Sequence, residues 1–216
     1  MADDLPKAIT SREIAIPPLG LKAILTIPKH ASGMIVFAHG SGSGRKSPRN
    51  NHVARALQED GFATLLLDLL TPDEELDRAN VFDIPLLAAR LSMAARWVRA
   101  QAGLQMMPIG YFGASTGAGA ALVAAARDEP DIAAVVSRGG RPDLAGEWLG
   151  KVRAPTLLIV GSLDGQVIDL NIKAFDALSV PKRMTIIDGA SHLFEEPGTL
   201  EEVIIHASAW FAAYLN

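Results

Sequence analysis

Residues 110–120 read GYFGASTGAGA, and the reading of this stretch decides the fold. Ile109 to Phe112 has the apolar character of a buried strand end, and Gly117 onward is a run of small residues suited to a closely packed helix. Between them stands one hydroxyl, Ser115, with glycine two residues before and two residues after it. A Gly-x-Ser-x-Gly corner between strand and helix forces the serine into a strained backbone. Side chains in place of the two glycines would collide with each other. The serine then stands at a helix N-terminus, where free amides and the helix dipole favour developing negative charge. On its own the pentapeptide also fits a glycine-rich turn with a capping serine, so its meaning depends on its surroundings.

Outward from this corner the chain alternates short apolar runs with longer helical segments. The runs are Met34–Ala38, Ala63–Asp68, Pro108–Gly113, Ile132–Ser137, Pro155–Gly161 and Arg183–Ile187. Their nearly continuous apolar character is that of parallel strands buried on both faces. Two further strand-like segments, Arg12–Ile16 and Leu21–Ile27, precede them, joined by the turn-forming PPLG. Helices are expected over Asn50–Gln58, Val81–Ala102, Thr116–Arg127, Val167–Leu178 and Leu200–Tyr214. This order predicts an α/β fold, a mostly parallel twisted sheet with helices on both faces, as a single domain over residues 1–216. Ligands in such folds bind beyond the carboxyl ends of the strands.

Those ends carry nearly every polar residue with chemical potential. They hold HGSGSGRKSPRN after the first parallel run, GASTG after the third, SRGGRP, GSLDGQV, and DGASHLFEEPG after the last. A serine nucleophile needs a base and an acid to orient that base. His192 lies in the loop between the last strand and the last helix. His30, His52 and His206 have no comparable setting, since His30 lies in a turn and the other two within expected helices. Asp164 follows its strand in a Gly-x-x-Asp turn. Asp169 falls inside an expected helix, and Asp188 is too near His192 in sequence to reach round to it. The order Ser115, Asp164, His192 is that of a hydrolase triad on an α/β sheet. The oxyanion of a tetrahedral intermediate also needs donors. The Thr116 N–H is one candidate, and the Ser41 N–H, ahead of Gly42, is the other. His39 is read as a structural residue of the loop.

Arginines ring the same edge: Arg45 and Arg49 in one loop, Arg138 and Arg141 in another. At least one of Arg49 and Arg138 is expected either to bind an anionic group of the substrate or to pair with Asp68, Glu195 or Glu196 and brace the site.

Composition bounds the alternatives. A net charge of −4 supplies no basic stripe for nucleic acid. The absence of cysteine removes disulfides, thiolate metal sites and a cysteine nucleophile. The opening MADDLPKAIT lacks the basic and then apolar pattern of a secretory leader, and no apolar run is long enough to span a bilayer. A cytoplasmic protein, monomeric or homodimeric, without cofactor or metal and acting on a small acyl substrate, is expected. A phosphate loop ending at Lys46-Ser47 would need glycine where Arg45 stands, and a dinucleotide fingerprint fails at the same residue.

The motifs H39-G40-S41-G42, G113-A114-S115-T116-G117, G161-S162-L163-D164 and S191-H192 resemble those of the α/β-hydrolases. The closest likeness is to the dienelactone-hydrolase-like group, and it runs from about Ala15 to the C-terminus. The resemblance implies hydrolysis of an ester or related acyl bond through an acyl-enzyme. Dienelactone hydrolase proper uses a cysteine nucleophile, so the likeness here is to a serine variant with esterase-type chemistry. Many relatives carry a helical cap between the sixth and seventh strand-like segments, counting the two that open the chain, and the short Arg138–Ala154 leaves no room for a large one, which implies an open or shallow site. A ligand-binding protein on the same scaffold without turnover is the competing reading.

Overall fold

In the computed structural model, which describes residues 10–127 and 131–215, the alternation along each strand places the core on both faces of one sheet. The eight strands are β1 (Thr10–Ile16), β2 (Leu21–Ile27), β3 (Met34–Ala38), β4 (Ala63–Leu67), β5 (Ile109–Ala114), β6 (Ala134–Arg138), β7 (Thr156–Gly161) and β8 (Lys182–Ile187). They lie in the order β1-β2-β4-β3-β5-β6-β7-β8. β3 to β8 run parallel, and β2 is antiparallel to both of its neighbours.

Along β3, Met34, Val36 and Ala38 belong to one apolar cluster while Ile35 and Phe37 belong to the other. Every residue of β3, β4 and β5 is buried. This two-sided burial is what continuous apolar runs encode. One face is covered by helices α1 (Pro48–Glu59) and α7 (Thr199–Tyr214), which bring Val53, Leu57, Val203 and Phe211 against Phe37 and Phe112. The other is covered by α4 (Ile84–Arg99), α5 (Thr116–Ala125) and α6 (Gly165–Ala177). Among the described residues no helix is long and apolar enough to cross a membrane.

Strand positions agree with the sequence reading to within one or two residues. The helix expected over Val81–Ala102 does not run unbroken. Two short helices, α2 (Pro72–Glu75) and α3 (Arg78–Val81), come first, and Asp83 then caps α4 by accepting from the Leu86 N–H. Asp83 and the proline at the second helical position are ordinary start signals. The apolar spacing of Val81 with the residues beyond it hides them. Thr71 and Glu74 form a reciprocal capping box at the start of α2. Between β6 and β7 the chain makes only 3₁₀ turns over Pro142–Lys151, interrupted at Gly146, so no large cap covers the sheet edge.

Candidate active site

Ser115 joins β5 to α5 with φ 51° and ψ −123°, a conformation that non-glycine residues rarely adopt. Such a backbone costs about 1–3 kcal/mol and persists only where its surroundings enforce it. The glycines on either side do that, by a different contact from the mutual collision the sequence implies. A Cβ on Gly117 would lie 2.2 Å from the Ala38 carbonyl oxygen, and one on Gly113 would lie 2.5 Å from the Ala118 Cα. The glycines therefore let α5 approach β3 and β5 backbone to backbone. Ser115 occupies the N-cap of α5 but makes no side-chain cap bond, which leaves its hydroxyl free to point elsewhere.

That hydroxyl lies 3.3 Å from His192 Nε2, and His192 Nδ1 lies 2.6 Å from Asp164 Oδ2. An ionised carboxylate can only accept, so Nδ1 carries the proton and Nε2 is the acceptor for the Ser115 O–H. Asp164 is the N-cap residue of α6, yet its side chain makes no cap bond there and is spent on the histidine. The loops bearing Asp164 and His192 are tied together: Ser162 N–H donates to the Ile187 carbonyl and Leu163 N–H to the Ala190 carbonyl. A Cβ on Gly161 would lie 2.2 Å from the Ala190 oxygen. Glu196 accepts from the Ser191 N–H at 3.0 Å, which holds its carboxyl below the usual range and fixes the start of the histidine loop. The competing carboxylates lie elsewhere. Asp188 accepts from the Ser162 hydroxyl, and Asp169 is exposed on α6.

The Thr116 N–H, first in α5, donates to no group among the described residues and is available as helix N-terminal amides are. Ser41 is beside it, but its N–H is already engaged, donating to Thr116 Oγ1 at 3.0 Å. The threonine side chain thus holds the loop after β3 against the nucleophile corner, a bond with no sequence signature. His39 is structural, as its context implies. Its Nε2 accepts from the Leu69 N–H at 3.0 Å, so its Nδ1 carries the proton given to the Gly40 carbonyl. Burial lowers its pKa.

The arginines are mostly committed. Arg45 binds Asp68 through both its backbone N–H and its guanidinium. Arg49 pairs with Glu195 at 2.6 Å, and Arg141 with Asp143 at 2.8 Å. Arg138 is 7% exposed and has no carboxylate partner among the described residues. Its Nη2 donates to Asn50 Oδ1 at 3.4 Å, its guanidinium lies 5.8 Å from the centre of the Phe194 ring, and its Nε and Nη1 are unpaired. Burial, with Arg49 nearby, pushes its pKa down to about 10.

A cavity of about 270 Å³ opens next to the corner, lined among others by Ser41, Thr116, Leu69, Leu87, Val81 and Glu75. Glu75 and Val81 come from α2 and α3, the elements that the sequence reading passed over. The Thr-x-x-Glu box at Thr71 and the Asp77 cap, which accepts from the Ala79 N–H, are the signals that mark them.

No protein-family model matches the chain. Over 214 residues, 99% of its length, it is 54% identical to proteins of two Mycobacterium tuberculosis strains that carry the provisional name phosphoribosyl transferase. The chain spans about half the length of these curated relatives, 48%. A dienelactone hydrolase from Anabaena variabilis is 52% identical, with a TM-score of 0.91 over 97% of this chain and 99% of that one. The esterase Est1E from Butyrivibrio proteoclasticus shares the fold at 15% identity, with a TM-score of 0.79 over 94% of this chain and 98% of its own. With the strand order, the serine corner and the likeness to the cyanobacterial protein on both chains' full span, the chain belongs to the dienelactone-hydrolase group of the α/β-hydrolases.

Proposed function

We propose that the protein is a serine hydrolase that cleaves a carboxylic ester, or a related acyl bond, of a small molecule through an acyl-enzyme. The observation that carries this reading is the continuous chain of contacts from Asp164 through His192 to the strained Ser115. In the first half-reaction the Ser115 oxygen bonds to the acyl carbon while its proton passes to His192 Nε2. Asp164 stabilises the imidazolium that results. The negative oxygen is held by the Thr116 N–H and by the Ser41 N–H, the oxyanion replacing the Thr116 hydroxyl as the Ser41 acceptor. The bond to the leaving group then breaks, and His192 returns the proton to it. Water repeats the sequence on the acyl-enzyme, releasing the acid and restoring Ser115. Arg49, through Glu195, and Arg138, beneath Phe194, brace the loop that carries His192.

Phosphoribosyl transfer, named for the longer mycobacterial relatives, would call for a phosphate cradle. The glycine-rich loop after β3 instead closes on Asp68 through Arg45. A fluorophosphonate probe tests the reading. Wild type is expected to label and to release p-nitrophenol from simple esters. Ser115→Ala should abolish labelling and lower kcat by several orders of magnitude with an unchanged circular dichroism spectrum. An inert wild-type serine would point to a ligand-binding protein on this scaffold.

A further inference from the structure

The cavity beside Ser115 is apolar at Leu69, Leu70, Val81 and Leu87, and one ionisable acid lines it, Glu75. Glu75 makes no ion pair or side-chain hydrogen bond with the described residues, unlike its neighbour Glu74, which pairs with Arg90 at 2.5 Å. Its carboxylate is close enough to His39, another lining residue, to favour the protonated imidazole. Among the described residues no lysine or arginine lines the cavity itself. Arg45 is bound to Asp68 and Arg49 to Glu195, and with Lys46 they line an adjoining groove that shares Ser41, Gly42, Ser43 and Glu75 with the cavity. Arg78 lies over the Phe82 ring in the groove outside α3. Arg138 lines none of these spaces and belongs with Asn50 and Phe194, on the α1 and α7 side of the sheet.

We infer that Glu75 sets the charge preference of the acyl pocket, which takes acyl groups ending in a cation or a neutral hydrogen-bond donor and rejects those ending in a carboxylate. The inference rests on the serine-hydrolase reading and on the acyl group entering the cavity next to the oxyanion donors. Glu75 is exposed at the edge of the cavity, and at contact range, well inside a Debye length of about 8–10 Å, its charge still acts on a charged end of a ligand seated there. It attracts one sign and repels the other, so the two effects add in a ratio of rates. The apolar lining accommodates the methylene chain between the reacting carbonyl and the charged end. This preference is the opposite of anion binding, one of the two roles that the sequence leaves open for Arg49 and Arg138. The reversal comes from the pairing of Arg45 and Arg49 and the burial of Arg138.

The test compares three p-nitrophenyl esters, subtracting their uncatalysed rates: 4-(trimethylammonio)butyrate, its neutral isostere 5,5-dimethylhexanoate, and the adipate half-ester. Wild type is expected to favour the cationic ester over the anionic one. Glu75→Gln should lower that kcat/KM ratio roughly tenfold, and Glu75→Lys should reverse the preference. A ratio unaltered in both variants, or a wild type that prefers the adipate half-ester, overturns the assignment of Glu75. Hydrolysis of the neutral ester that survives in Ser115→Ala overturns instead the reading on which it rests, so the two failures are told apart.

Discussion

Thr116 holds two positions in the site at once. Its backbone N–H is free at the start of α5, while its side-chain oxygen takes the Ser41 N–H. Replacing it with valine keeps the shape and removes the acceptor, so the loop after β3 loses its tie to the nucleophile corner. Thr116→Val is expected to lower kcat about tenfold with little change in KM, less than the loss for a deleted oxyanion donor because both N–H groups remain. Thr116→Ser should restore the rate, and steady-state kinetics on a short-chain p-nitrophenyl ester checks both. At this scale the sequence was legible where chemistry and chain order coincide. Ser115, Asp164 and His192 each follow a strand in the order one site requires, and the structure brings them within contact. The Ser41 to Thr116 bond joins residues 75 apart, and nothing in either local sequence announces it. The burial of Arg138 without a carboxylate partner among the described residues was equally hidden, because burial and pairing are properties of the packed state.

Among the elements, the strand, corner and helix from Ile109 to Ala125 work as one piece. Its helix is buried throughout, and Gly117 is where it meets β3. The Ala38 carbonyl facing Gly117 belongs to a central strand and has no room to retreat. Gly117→Ala is expected to cost about 3 kcal/mol or to prevent folding, whereas Gly150→Ala, with open space around it, should stay within about 0.5 kcal/mol. Urea midpoints measured side by side decide this. Elements of this kind read well from sequence because period and glycine placement agree. α2 and α3 did not, since four-residue helices are too short to show a period and are recognised only by their caps. They form part of the cavity wall, so the sequence reading anticipated the meeting of Ser115, Asp164 and His192 more completely than the surface beside them.

Across the whole molecule, the parallel sheet with two buried faces followed from composition and alternation alone, since no other arrangement buries six continuous apolar runs. The pH response is also a property of the whole fold. His39 is buried and neutral, tied to the β4 end through the Leu69 N–H, and its pKa in the folded protein is lowered from 6.5. Below about pH 6.5 the unfolded chain takes up this proton before the folded one does. His39 therefore contributes stability that is present above its unfolded pKa and is lost as pH falls toward its folded value, at up to about 1.4 kcal/mol per pH unit. Urea unfolding at pH 7.5, 6.5 and 5.5 should show a steeper loss for wild type than for His39→Gln. Parallel lines would remove His39 as the cause.

β8 is the last strand in the sheet, paired on one side only, with Arg183 and Ile186 exposed. The histidine loop hangs from its end. Fraying of this margin separates His192 from Ser115 while the central strands stay intact, so loss of the proposed ester hydrolysis should run ahead of denaturation. On slow heating, ester turnover is expected to fade several degrees below the loss of near-ultraviolet dichroism. Amide exchange across 182–192 should outpace that across Met34–Ala38. The same margin would then serve as the first point of failure and the first target for hardening the protein against heat.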